Sequence, residues 1–186
     1  DFANENCTVI GNFPSGLGGA DRYLSLSTTS GYTLDSTVFQ SVDPTSSVFS
    51  IGTSGLTNAS GQTYVAYCFT SIAGYSQISG GYTGNGSADG PYVHLGFRPR
   101  WVMVKSTAAN GYNWRLIDTT RFTYNPTGGE IEPNTTSTEY TDSGNWDLDI
   151  TSNGFKVRNT GGINDSGATM IYAAFAETPA KYALAR

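Results

Sequence analysis

The chain has 186 residues, 38% hydrophobic and only 13% charged, with a net charge of −5. That is enough apolar material for a core, and too few basic residues for a nucleic acid or an acidic membrane surface, whose binding draws on clustered Lys and Arg. No stretch approaches the roughly 20 apolar residues of a transmembrane helix, and the opening "DFANENCTVIGNF" has no basic n-region followed by an apolar run, so neither membrane insertion nor an export signal is expected.

Taken in chain order, the predicted elements come in two sets. "NCTVIG" from Asn6 falls over "NWRLID" from Asn113, and "TTS" from Thr28 over "TTS" from Thr135, an offset of 107. "TSSVFSIG" from Thr45 falls over "TSNGFKVR" from Thr151, and "NASGQTYVAYCF" from Asn58 over "NDSGATMIYAAF" from Asn164, an offset of 106. Four matches in one order predict tandem modules: an incomplete one over residues 1–78 and a complete one over 79–186. The first has no counterpart of "YTGNGSADGPYVHLGFRPRWVMVK", residues 82–105. Either the chain is a fragment of a longer array, or another subunit or segment supplies the missing strands, because an incomplete sheet leaves an edge that recruits a partner strand.

The fold class expected is all-β, with β-sandwich modules of jelly-roll type in tandem, since short runs of alternating aromatic and β-branched residues lie between Gly, Asn and Ser. Tyr64–Phe69 is predicted as a strand with Val65, Tyr67 and Phe69 toward the core, matched by Ile171, Ala173 and Phe175. "PYVHLGF" and "RWVMVK" follow, the latter with Trp101, Met103 and Lys105 on one face and Val102 and Val104 on the other; "NWRLID", "DLDI" and "FKVR" are shorter strands. Only "PAKYALAR" from Pro179 has a helical start.

Chemistry-bearing residues are sparse. Asn85, Ser87, Asp89 and Gly90 mimic the start of a calcium loop, but Gly96 stands where a bidentate Glu is needed, and no Lys-Ser or Lys-Thr follows the glycines to make a phosphate loop. A tight turn is the expectation. His94, the single histidine, reads as a surface or structural residue. Glu130, Glu132, Glu139, Asp142, Asp147, Asp149 and Glu177 could form a glycosidase pair, but nothing singles out two of them. Cys7 and Cys68 are expected as free, partly buried thiols. No catalytic residue, cofactor site or metal site is expected. Five sequons, at Asn6, Asn58, Asn85, Asn134 and Asn164, arise without selection in so Asn-, Ser- and Thr-rich a chain.

Three Trp, 12 Tyr and nine Phe make an aromatic excess. Rings beside Asn, Asp and Ser can stack on sugars and bond their hydroxyls, although most such rings fill cores and interfaces. Tyr112, Trp114, Tyr124, Tyr140 and Trp146 are the candidate ligand contacts, an exposed cluster in the loop-rich middle of the second module.

"SGQTYVAYCF", "IAGYS", "YTGNGSADGPYV", "GFRPRWVMVKS", "SNGFKV" and "YAAFAETPAKYALAR" together resemble a module of virion-associated proteins of tailed bacteriophages, often tail or fibre proteins. The resemblance covers nearly all of residues 45–186; Arg100 in "RPRWV" departs from a small residue associated with that place. It implies a non-enzymatic particle component, assembled in the host cytoplasm, with copies of itself and other virion proteins as partners and a host-surface glycan as a candidate ligand. A capsid decoration protein and a polysaccharide depolymerase domain are the rival expectations.

Overall fold

A computed structural model describes residues 8–9, 21–108, 111–141 and 147–177. Within them the protein is all-β. Strands β1 (Thr8–Val9), β2 (Arg22–Ser25) and β3 (Thr33–Leu34) form one antiparallel sheet. Strands β4 (Ser76–Thr83), β6 (Pro99–Ser106), β7 (Arg115–Asp118) and β10 (Thr169–Ala176) form a second in the order β4-β10-β6-β7. Strands β5 (Tyr92–His94), β8 (Leu148–Thr151) and β9 (Gly154–Val157) form a third in the order β5-β9-β8. The two short helices, α1 (Ser36–Phe39) and α2 (Gly55–Asn58), are capped by the side chains of Asp35 and Ser54.

The second and third sheets close face to face as a sandwich. From one come Val102, Val104, Met170, Tyr172 and Ala174, and from the other Val93, Leu148, Ile150, Phe155 and Val157, all in one buried cluster. Each large aliphatic removed from water there is worth roughly 1.5–3 kcal/mol. Gly80 is required by this packing, because a Cβ on it would lie 2.2 Å from Cζ of Tyr172.

The expected faces of β6 hold: Val102 and Val104 enter the sandwich, while Trp101, Met103 and Lys105 face the other way. That other face is covered by the first sheet. Leu24 packs on Trp114 and Ile171, and the Trp114 indole donates to the Ser25 carbonyl at 3.0 Å.

The sheet registers repeat along the chain. Val9 pairs with Leu24 and Tyr23 with Thr33; 107 residues later Leu116 pairs with Ile131 and Glu130 with Tyr140. Further on, Gln62 donates its N–H to Ala59 and Ala168 to Asp165, and Gly61 and Gly167 both have φ of 76°, with 106 residues between the members of each pair. A side chain is strained at that φ, so glycine recurs where the turn recurs.

Two expectations are corrected. Residues 64–69 do not lie in a strand of any sheet, and Val65, Tyr67 and Phe69 are exposed. On β10 the sandwich core takes Met170, Tyr172 and Ala174, the opposite parity to Ile171, Ala173 and Phe175; apolar residues on both faces of a central strand hide its alternation. The Pro179 segment lies outside the described residues.

Candidate functional site: an open strand

After the turn at Gly61, residues 63–70 run outside any helix or sheet, with every one of them exposed. No backbone hydrogen bond joins residues 65–69 to another described residue. Both ends are held. The Tyr64 hydroxyl donates to the Gly55 carbonyl at 2.8 Å and accepts from the Ala59 N–H at 3.0 Å, while Ser76 Oγ donates to the Thr70 carbonyl at 2.9 Å. The Phe69 ring meets Phe175 edge-on at 6.1 Å, beside Trp101, which is 5.5 Å from the same ring. This is an exposed backbone that pairs with no described strand, the state in which an edge recruits another chain.

Cys68 lies within it as a free, exposed thiol, which corrects its expected partial burial: no described strand pairs with the backbone there. Cys7 lies outside the described residues.

The five aromatic candidates do not form one exposed cluster. Trp114 is buried between the first and second sheets, so its expected exposure is corrected: the sheet that covers it comes from distant chain. Tyr112 is half-buried, and its hydroxyl bonds Asp165, which raises its pKa. Tyr124 is 86% exposed and Tyr140 is also exposed. Those two share one loop region, since Arg121 pairs with Glu139 at 2.9 Å and a Cβ on Gly129 would touch both the Phe122 ring and the Tyr140 carbonyl. Trp146 lies outside the described residues.

The carboxylates are taken up in ion pairs. Glu130 and Glu132 both hold buried Arg115, with the Thr135 hydroxyl on Glu132. Burial pushes Glu130 up to about 7 against the pull of the guanidinium. Asp149 pairs with Arg158 and Glu177 with Arg98, and Asp142 lies outside the described residues. Asp147 raises the Glu130 pKa further by its charge.

No group of three or more His, Cys, Asp or Glu among the described residues could hold a metal ion. His94 is exposed on β5. A cleft of about 160 Å³ lies between Tyr23, Ser25, Thr28, Thr33 and Leu56, below the roughly 300–1,000 Å³ of small-molecule sites.

The loop at residues 84–90 is a corner. Asn164, fully buried, accepts from the Asn85 N–H and donates to Asn85 Oδ1 and to the Ser87 and Asn159 carbonyls. Asp89 is tied to Lys156 at 2.8 Å, which lowers its pKa.

Sequence reasoning missed the interior charges. Lys105 is fully buried and donates to the Thr29 and Tyr112 carbonyls at 3.0 and 2.5 Å; desolvation, then the Arg115 charge, hold it down at about 8. Neither it nor Arg115 stands in a pattern that marks burial.

The fold and this segment define an all-β protein of recurring sheet registers with an exposed, unpaired run at residues 63–70. Residues 4–179 match the family described as a domain of unknown function, DUF7483, and the chain belongs to that family. No curated protein and no solved structure matches it. No helix among the described residues is long and apolar enough to cross a membrane.

Proposed function

We propose that this protein is a non-enzymatic structural component of a bacteriophage virion, of tail-fibre or surface-appendage type, that works by assembly. The observation that carries this reading is the exposed segment at residues 63–70, tied down at both ends and outside every sheet. A backbone presented in this way is completed by other chain, the common currency of filamentous and shell assemblies. The run of motifs from "SGQTYVAYCF" to "YAAFAETPAKYALAR" and a surface with few charges support the same setting.

Copies of the chain and other virion proteins are the proposed partners. The Tyr124 and Tyr140 loops are the proposed contacts for a host glycan, because exposed rings stack on sugar faces at low entropic cost. Glu130 and Glu132 offer no free carboxylate pair for a depolymerase, since both close on Arg115.

The test is location. Antibody to the chain should label the tail of purified particles in electron micrographs. Labelling on the head would replace the appendage reading with capsid decoration, and particles free of the protein would end the virion reading altogether.

A further inference from the structure

The two copies of the register differ in what covers them. In the second copy β10 is flanked on both edges, by β4 and by β6. Residues 76–106 also bring Val93, Leu95, Phe97, Val102 and Val104 to the sandwich core. In the first copy no described residue stands in these places. Leu148, Phe155, Val157 and Met170 are each 0% exposed, whereas the residues 106 earlier, Val42, Phe49, Ile51 and Tyr64, are 47%, 40%, 41% and 46% exposed. Asn164 is buried under the corner it pins, while Asn58 at the matching position is exposed and donates to the Gly52 carbonyl.

The turns that present these residues are nevertheless formed. Thr45 donates its N–H to Val48 where Thr151 pairs with Gly154, and the Gly61 turn repeats the Gly167 turn. The first copy is therefore folded around a missing block, and the second copy shows what that block is.

We infer that the first copy is an acceptor site for a partner polypeptide carrying two strands of the β4 and β6 type, which flank residues 63–70 on both edges and close the apolar face of Val42, Phe49 and Ile51. In the second copy's register, Val65 stands opposite a glycine of the β4-type strand, as Ile171 does opposite Gly81. Ala66 stands opposite a β-branched residue of the β6-type strand, as Tyr172 does opposite Val104. Residues 63–70 carry no charge, which suits an apolar, alternating partner.

A second copy of this chain is a poor supplier. Each chain has two segments of the β10 kind and one β4–β6 block, and that block is already engaged with β10. The inference does not depend on the virion reading.

The test uses the full chain with an added copy of residues 76–107 placed ahead of Asp1, which preserves the spacing that leads from β6 into β7. Hydrogen exchange of amides 65–69 and alkylation of Cys68 are measured with and without the addition. Both should slow at least tenfold in the fused protein, and neither should slow when the added copy carries V102K and V104K. Equal rates in the fused and unfused proteins would overturn the inference. So would protection that appears in the unfused protein as its concentration rises, because the occupant would then be a second copy.

Discussion

Phe155 and Phe49 occupy matching positions 106 residues apart, and truncating each to Ala should have very different costs. Phe155 is fully buried on β9, edge-on to Tyr172 at 5.5 Å and to Tyr82 at 6.2 Å, with Val93 and Ile150 as cross-strand partners. Removing such a ring costs about 3–5 kcal/mol from lost transfer energy and the cavity left behind. Phe49 keeps 40% of its surface in water, so its truncation removes less burial and leaves no closed cavity, a cost of about 1 kcal/mol. In urea, with a slope of about 2 kcal/mol/M, the first substitution moves the midpoint down by about 1.5–2.5 M and the second by about 0.5 M. Fluorescence of the buried Trp114 reports the transition. If Phe49→Ala lowers the midpoint as far as Phe155→Ala, the apolar face of the first copy is closed in the isolated chain and the reasoning fails.

The matched asparagines give a second contrast. Asn164→Ala strips the accepted bond and the shared Nδ2 donations from a buried corner and should cost about 2–4 kcal/mol, whereas Asn58→Ala, exposed with one donated bond, should cost under about 1 kcal/mol by thermal melts. Glu130, raised by burial to about 7, binds its proton more tightly folded than unfolded. Stability of the wild type relative to Glu130→Gln should therefore fall as pH rises from about 4.5 to 7, and a flat difference in denaturation midpoints would contradict this. Lys105, depressed by burial to about 8, gives up its proton earlier when folded. Its penalty is present below pH 8 and disappears by about pH 10.5, so wild type should gain on Lys105→Met across that window; a difference that declines there would count against it.

Much of the fold was legible because strand formation follows local alternation. "RWVMVK" lies in a strand, "DLDI" and "FKVR" do so but for Asp147 and Arg158, and Val102 and Val104 face the core as their period-two spacing requires. The recurring turns were legible as well, because they need particular residues: glycine at 61 and 167, where φ is positive. Tyr64–Phe69 misled because its composition is that of a strand while its neighbours are not there to pair with it. The aromatic candidates misled for the converse reason: Trp114 carries no local mark of the sheet that buries it.

The sequence by itself determined the element type, the repeated turns, the low surface charge and the absence of a counterpart to residues 82–105, since each depends on residues close together or on composition. Tertiary structure alone decided which strands are flanked and which stand open. It also put Lys105 and Arg115 inside, because burial depends on chain far away in sequence. The same kind of segment is a sealed central strand at residues 169–176 and an exposed run outside every sheet at 63–70, and the difference lies in what is packed beside it.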